Sequence, residues 1–406
     1  MESIKKIFKI GHGPSSSHTM GPRYATERFV KRVGQLVEAQ PALKGVGKFE
    51  VTLYGSLAAT GRGHLTDVAI NDILMPLAET EIIWHPDVFL PLHPNGMKFR
   101  ALSVGGDVID DWTIYSVGGG DLAEEGQVSQ RKQIYDMSTI ADIEAWCQQH
   151  GKTYWEYVDE CEDDDLWDYL KRVWETMKAC IKRGLDEEGV LPGPLGVRRK
   201  AVSYNVRAQG YSGSLRSRGL VYSYALAVGE ENASGGEIVT APTCGSCGVL
   251  PAVLYHIYTI KEFSERRILR ALATAGLFGN VVKNNASISG AEVGCQGEVG
   301  VACAMASAAA AQLFGGTPTQ IEYAAEMGLE HHLGLTCDPM CGLVQIPCIE
   351  RNAFAAARAL DSNLFSSFSD GTHHVSFDKV VAVMKQTGKD LPSLYKETSE
   401  GGLAVF

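Results

Sequence analysis

Residues 297–313 read GEVGVACAMASAAAAQL, and this run decides the fold class. Alanine has the highest helix propensity of the common residues, so the run predicts a helix. Amphipathic or alanine-rich stretches of the same kind lie on both sides of it, at residues 166–183, 217–228, 264–278, 318–330, 348–360 and 377–387. Glycine and proline separate these stretches, as helix ends require. The sequence therefore predicts an all-helical domain over residues 138–406.

The first 137 residues mix strand and helix patterns. Residues 48–54 alternate between polar and apolar side chains, as a half-buried strand does, and residues 81–84 and 112–117 do the same. Helical patterns occupy residues 23–37 and 67–77 between them. We predict an N-terminal α/β domain, residues 1–137, with a mostly antiparallel sheet. The fold class of the whole chain is then α+β.

The length, the net charge and the apolar runs of the chain exclude some classes of function. A chain of 406 residues exceeds one ordinary core, which agrees with two domains. The net charge of -11 argues against a nucleic-acid partner, because phosphate binding needs a concentrated basic surface. No apolar run reaches the ~18–20 residues that cross a bilayer, so no membrane association is expected. The first residues lack the pattern of a secretory signal, and we expect a cytoplasmic protein.

The ten cysteines are unevenly distributed, with seven between residues 244 and 348. In a reducing compartment structural disulfides are not expected, and Cys303 suits a buried apolar thiol. Cys244 and Cys247 form a CxxC pair, which suits a zinc half-site, a redox pair or a contributor to a cluster. Several of the seven are flanked by glycines, which let the backbone bend closely around a bulky group. We expect a metal or cluster site here.

Two polar segments near the N-terminus allow two interpretations each. Residues 11–22 contain Ser15, Ser16, Ser17, His18 and Thr19. These side chains either cap the following helix or bind a carboxylate at its N-terminus. His64 lies in a second polar segment, residues 61–67, where its composition alone favours an ordinary surface histidine over a proton-transfer group.

Longer motifs carry a resemblance to a known family. They occupy residues 13–19, 63–67, 93–97, 231–233, 240–243, 286–298, 335–339 and 342–352. The last three read ASISGAEVGCQGE, LTCDP and GLVQIPCIERN. In these segments, which extend over nearly the whole chain, the sequence resembles the iron–sulfur-dependent L-serine dehydratases of bacteria.

The resemblance implies a cofactor and a reaction. Members hold a [4Fe–4S] cluster on three cysteines that match Cys295, Cys337 and Cys348, and convert L-serine to pyruvate and ammonia. An iron with an open position would act as a Lewis acid on the β-hydroxyl while a base removes the α-proton. The N-terminal domain is similar to an allosteric substrate-binding domain, and the helical domain is catalytic. The active site is then expected between the two domains, and oxygen is expected to inactivate the enzyme.

Roles for individual side chains follow from this expected chemistry. The predicted proton-transfer residues are His18 and His64, and Lys283 is predicted either to pair the substrate carboxylate or to form a solvent-facing helix end. The predicted substrate-binding residues are Ser15, Ser16, Ser17, Thr19, Asn232 and Thr243. The expected partner is L-serine, and a homodimer is the expected assembly.

Departures from the family pattern leave alternatives open. Some members end in a cysteine that binds the fourth iron, whereas this sequence ends in Gly-Gly-Leu-Ala-Val-Phe. The fourth iron is then open, or it takes Cys244, Cys247 or Cys341. One rival is a pyridoxal-phosphate enzyme, for which no phosphate-cradling loop paired with a lysine is evident. The others are the same cluster acting on L-cysteine, L-threonine or a hydroxy acid, and a zinc-stapled sensor without enzymatic activity.

Overall fold

The computed structural model describes residues 1–39, 45–124 and 132–405. Its strands, in chain order, are β1 Ile10–His12, β2 Val46–Tyr54, β3 Glu79–His85, β4 Gly96–Ser103, β5 Val108–Ser116, β6 Leu122–Ala123 and β7 Glu237–Val239. Its α-helices are α1 Gly21–Ala39, α2 Gly55–Thr60, α3 Thr66–Leu74, α4 Ile140–His150, α5 Tyr154–Cys161, α6 Leu166–Asp186, α7 Ala201–Gln209, α8 Gly213–Ala233, α9 Val249–Lys261, α10 Glu265–Asn285, α11 Gly290–Val293, α12 Val299–Leu313, α13 Pro318–Glu330, α14 Cys348–Ser367 and α15 Phe377–Asp390.

The N-terminal part contains a five-stranded sheet in the order β3-β2-β4-β5-β6. Only β2 and β3 are parallel, and the other neighbours are antiparallel. Phe49, Val51 and Leu53 alternate along β2 and are buried, which is the period of two expected of a strand with one covered face. Helix α1 covers this face through Phe29, whose ring lies 5.2 Å from that of Phe99. The predicted α+β class and mostly antiparallel sheet are confirmed.

Helix α12 forms the centre of the helical part. Val301, Ala302 and Ala306 are fully buried, as is nearly every other residue of the helix. Small side chains let α10, α13, α14 and α9 pack around it, and a helix that is apolar on all sides is stable only when surrounded. The predicted helix over residues 318–330 is also present, with Thr317 and Gln320 forming a capping box at its start.

Some elements lie outside the sequence prediction. The three-residue strand β7 pairs with β1, where Gly11 opposes Ile238, so the helical part is not wholly helical. Strand β4 and helices α4, α5, α7 and α9 were not predicted. The buried helix α9 lacks the alternation of polar and apolar faces that marks an amphipathic helix.

Two hydrophobic cores are present. One lies around the sheet and contains Phe29, Phe99 and Ile114. The other fills the helical part and also takes in Ile4, Ile7 and Phe8, so the first eight residues pack with the helical part rather than with the sheet. The division of the chain at residue 137 stays a prediction. Among the described residues, no helix is both long and apolar enough to span a membrane.

Candidate active site

The serine-rich segment forms a tight turn ahead of α1. Ser16–Met20 make one π-helical turn, and Ser15 caps it by accepting from the backbone N–H of His18 at 3.1 Å. Ser17 Oγ lies 2.8 Å from Nδ1 of His18, and Thr19 Oγ1 donates to the carbonyl of His64 at 2.6 Å. The segment therefore serves both as a cap and as a scaffold that holds the two histidines together.

His64 is buried rather than on the surface, so the interpretation favoured by its local sequence is wrong. Only 1% of it is exposed, and its ring centroid lies 4.6 Å from that of His18. The short loop between α2 and α3 brings it there, with the backbone of Leu65 in the left-handed region at a φ of 56°. The residues around His64 in the sequence could not predict its burial, because that burial depends on the C-terminal segment that covers the site.

The covering residue is Glu397, and the hydrogen bonds around it assign the proton positions on both rings. Ser56 Oγ donates to the carbonyl of Glu397 at 2.8 Å, so it accepts from Nε2 of His18 at 3.1 Å. Thr60 Oγ1 donates to the carbonyl of Ser56, so it accepts from Nδ1 of His64 at 3.1 Å. The remaining basic nitrogens are Nδ1 of His18 and Nε2 of His64. They lie 3.4 Å and 3.9 Å from Oε1 of Glu397.

Burial sets the charge of this group. It lowers the pKa of His18 well below the ordinary value and that of His64 to about 3. It also raises the pKa of Glu397 well above the ordinary value, and the nearby Glu298 raises it further. These shifts keep both rings uncharged at neutral pH and favour the protonated form of the Glu397 carboxyl group. The arrangement offers two bases and one acid within a few ångströms.

Three thiols converge beside this group. Cys295 lies in the 3-10 turn before α12, Cys337 in the loop after α13, and Cys348 is the first residue of α14. The backbone N–H of Glu397 donates to the carbonyl of Cys337 at 2.9 Å, which joins the cysteines to the histidine pair. Cys295 and Cys348 lie close enough to Cys337 to contribute to the rise in its pKa.

The chemistry of these donors fits a cluster of several metal ions. Burial raises the pKa of Cys295 to about 11 and raises those of Cys337 and Cys348, so these thiols need a positive partner to ionise. The guanidinium group of Arg351 lies close enough to act on all three sulfurs. This charge favours three thiolates and the negative cluster that they would hold.

A single zinc ion fits the three cysteines less well. Zinc binds sulfur at about 2.3 Å in a tetrahedron, which places its ligands about 4 Å apart. Among the described residues, the group of three possible ligand atoms found within 4.8 Å of one another is that of His18, His64 and Glu397. The three sulfurs are thus spaced more widely than one zinc ion requires, whereas a multi-iron cluster separates its thiolates.

The other candidate ligands have different surroundings. Cys244 is buried with its sulfur 3.4 Å from Sδ of Met20, and burial raises the pKa of Cys247 well above its ordinary value, with a further contribution from Cys244. Cys341 is exposed, with its backbone in the left-handed region at a φ of 54°. A fourth ligand from one of these three cysteines stays a prediction.

Lys283 lies in an ion-pair network instead of at the histidines. Its Nζ contacts Asp121 and lies 3.8 Å from a carboxylate oxygen of Glu2, and Lys9 contacts the same Asp121. These two lysines lower the pKa of Asp121 to about 2 despite its burial. Lys283 is therefore not the solvent-facing helix end considered above. Its charge is already neutralised by protein carboxylates, so we leave it out of the proposed site.

Asn232 and Thr243 contact residues of the site. Asn232 Nδ2 donates to the carbonyl of Pro14 at 2.8 Å and holds the serine-rich turn. Thr243 Oγ1 donates to Oε1 of Glu298 at 2.9 Å. The other oxygen of Glu298 lies 3.9 Å from Sγ of Cys337. Burial raises the pKa of Glu298 to about 7.

No role is predicted from the sequence for Glu298, Glu397 or His93. His93 and Glu298 lie within two of the family motifs, residues 93–97 and 286–298, and membership of these motifs is the sequence feature that could have pointed to them. Glu397 lies in none of them. His93 is close enough to His18 to contribute to the lowering of the pKa of His18. Nε2 of His93 lies 3.6 Å from Oε1 of Glu292. Six buried polar atoms of this region have no hydrogen-bond partner among the described residues: His93 Nε2, Asn95 Oδ1, Ser116 Oγ, Asn232 Oδ1, Ser289 Oγ and Glu397 Oε2.

The sequence is similar to proteins of known family over its whole length. A family model described as serine dehydratase alpha chain matches residues 98–404, and one described as serine dehydratase beta chain matches residues 3–77. L-serine dehydratase 1 of Escherichia coli is 41% identical over 100% of this chain and 99% of its own. L-serine dehydratases of Streptomyces coelicolor and Helicobacter pylori are 40% and 37% identical, each over 99% of this chain and 98% of their own.

Both family regions thus lie in one chain, and the identity extends over its full length. The resemblance drawn from the motifs is confirmed. The chain belongs to the L-serine dehydratase family, in the form that joins the beta and alpha regions in a single polypeptide.

Proposed function

We propose that the protein removes water from L-serine and releases pyruvate and ammonia. The observation that carries the proposal is that the basic nitrogens of His18 and His64 both face one carboxyl group, that of Glu397, beside three converging thiols. The names of the relatives support L-serine as the substrate.

We assign a [4Fe–4S] cluster to Cys295, Cys337 and Cys348. The buried thiols, the nearby guanidinium of Arg351 and the wide spacing of the sulfurs support this assignment. When bound, such a cluster supplies a Lewis-acidic iron that makes the β-hydroxyl a better leaving group. Helix α14 begins at Cys348, so the positive end of its dipole also stabilises negative charge at this place.

The proton transfers are assigned to the group formed by His18, His64 and Glu397. Nδ1 of His18 is unprotonated and accepts the α-proton of serine, which is the general-base step. The neutral carboxyl group of Glu397 donates a proton to the departing hydroxyl, which leaves as water. The α-proton held on Nδ1 of His18 then passes to Oε1 of Glu397, 3.4 Å away, which restores both groups for the next turnover. The hydrogen bond from Nδ1 of His64 to Thr60 directs the basic Nε2 of His64 towards the same carboxyl group, so His64 is assigned to orient Glu397. The enamine product then tautomerises and hydrolyses to pyruvate and ammonia.

Binding of the substrate is assigned to the six buried polar atoms that have no hydrogen-bond partner among the described residues. A buried donor or acceptor without a partner is costly, and a zwitterionic, hydroxylated ligand can satisfy several at once. Ser15, Ser16 and Ser17 add hydroxyl groups that are all at most 6% exposed. Pro14, Gly63 and Cys341 line a cavity of about 290 Å³ next to this turn, which we assign as the route from solvent.

The test is an anaerobic preparation assayed for iron, sulfide and pyruvate formation from L-serine, L-threonine, L-cysteine and D-serine. We expect about four irons per chain from the cluster assignment and the highest kcat/KM with L-serine. His18→Asn should lower kcat by roughly a hundredfold or more, as expected when a general base is lost. Zinc in place of iron would overturn the cofactor assignment, and a preference for another amino acid would overturn the assignment of L-serine as the substrate.

A further inference from the structure

A second cavity lies between α13, α14 and the loop that precedes α15. Its volume is about 340 Å³, which is within the range of small-molecule pockets. Tyr323, Met327, Phe365 and Val375 give it an apolar wall. None of the histidines or cysteines of the candidate active site lines it.

Most ionisable side chains of this cavity already contact an ionisable partner within the protein. Arg218 pairs with Asp361 at 2.8 Å, His331 lies 3.1 Å from Glu330, and His373 lies 2.6 Å from Glu322. His373 also stacks on Tyr323, with the ring centroids 4.3 Å apart and the planes 5° from parallel. This stacking fixes the aromatic part of the wall.

Glu326 differs from these groups. It lines the cavity, is only 3% exposed, and has no hydrogen bond or ion pair within the part of the chain that the structure describes. Burial is the main cause that raises the pKa of Glu326 to about 7; Glu330 and Glu322 raise it further, and His373 opposes them. A buried carboxylate without a partner is unfavourable, so the site favours a ligand that brings a positive charge.

Arg358 supplies the opposite charge from the neighbouring helix. Its Nη1 contacts only the Nδ1 of His331, at 3.5 Å, and no described carboxylate lies within ion-pair distance of it. A metal ion is not the expected ligand, because no three ligand atoms of this cavity come within 4.8 Å of one another in the described chain. A compact ammonium group needs no such convergence.

We propose that this cavity binds a free α-amino acid with an apolar side chain. Its ammonium group pairs with Glu326, its carboxylate pairs with Arg358, and its side chain packs on Tyr323 and Phe365. The site is separate from the catalytic residues and does not depend on the proposed reaction.

L-Valine tests the proposal, because it has no group on its β-carbon that can be eliminated. Calorimetric titration of the anaerobic, cluster-loaded protein should show one saturable site per chain. Glu326→Gln and Arg358→Gln should each weaken binding by about tenfold to a hundredfold, the loss expected for a charge-assisted hydrogen bond. Arg358→Lys, which keeps the charge, should weaken binding less. The exposed Glu187→Gln and Arg216→Gln are matched controls and should bind as the wild type does.

Two further ligands test whether the cavity recognises both the ammonium group and the carboxylate of valine. Isobutylamine lacks the carboxylate of valine and 3-methylbutanoate lacks its ammonium group, so each should bind at least about tenfold more weakly. Circular dichroism confirms that the variants are folded. The proposal is overturned if valine does not bind saturably. It is also overturned if Glu326→Gln and Arg358→Gln bind valine normally, or if His18→Asn alone abolishes binding.

Discussion

Oε1 of Glu397 lies 3.4 Å from Nδ1 of His18, while the backbone of the same glutamate is hydrogen-bonded to Cys337. One residue of the C-terminal segment thus contacts both the proton-transfer group and a cysteine assigned to the cluster. The left-handed backbone of Glu397, with a φ of 60°, directs its side chain inward while its carbonyl accepts from Ser56. The C-terminal segment is part of the site.

Replacing Glu397 by glutamine should lower kcat by about a hundredfold, which is the usual contribution of a positioned acid. The amide has nearly the same shape but no acidic proton, so iron content and KM should change little. Steady-state pyruvate formation and iron analysis measure the two effects. Glu400→Gln, three residues further on and exposed, is the matched control. Full activity of Glu397→Gln would remove the carboxyl group from the mechanism.

Replacing Cys295, Cys337 or Cys348 by alanine should abolish both the visible absorbance of the cluster and the activity. Each thiolate holds one iron, and removing one leaves two ligands for the cluster. Cys303→Ala is the control, because its sulfur contacts the carbonyl of Ala355 on α14 and is buried among alanines. A normal iron content in any of the three variants would contradict the ligand assignment.

Arg351→Gln should shift the reduction potential of the cluster to a more negative value. Removing a positive charge beside three thiolates makes the addition of an electron less favourable. Redox titration followed by electron paramagnetic resonance measures the shift, and Arg351→Lys, which keeps the charge, should move the potential less. An unchanged potential in the glutamine variant would show that the guanidinium does not act on the cluster.

Protonation of the buried His256 should lower the free energy of unfolding in mild acid. His256 is 4% exposed, Ser217 Oγ lies 2.7 Å from its Nε2, and burial lowers its pKa to about 4. Below about pH 6.5 the unfolded chain therefore binds more protons than the folded one, and the free energy of unfolding falls as the pH falls towards 4.

His256→Gln removes this titration, so its unfolding free energy should depend less on pH between about pH 4 and 6.5, by up to about 1.4 kcal/mol per pH unit. Urea unfolding across this range measures the slope. The exposed His85→Gln should keep the wild-type slope. Equal slopes for wild type and His256→Gln would show that His256 is not the buried neutral group described.

The amino-acid sequence by itself determined the local features. The alanine-rich run became the central helix α12, and the alternation of residues 48–54 became strand β2, because short-range propensity and periodicity dominate where one face or all faces are buried. The family motifs also predicted Cys295, Cys337 and Cys348 as cluster ligands, and the sequence made His18 a candidate base; both assignments stay predictions.

Only the tertiary structure decided which of these residues meet. It brought Glu397 from the far end of the chain to His18, buried His64, and paired Lys283 with Asp121. It also placed Glu326 and Arg358 on one cavity, where neither has an ion-pair partner among the residues that the structure describes. Contacts between residues hundreds of positions apart depend on how helices and loops pack, and packing has no local pattern in the sequence, so only the folded chain shows them.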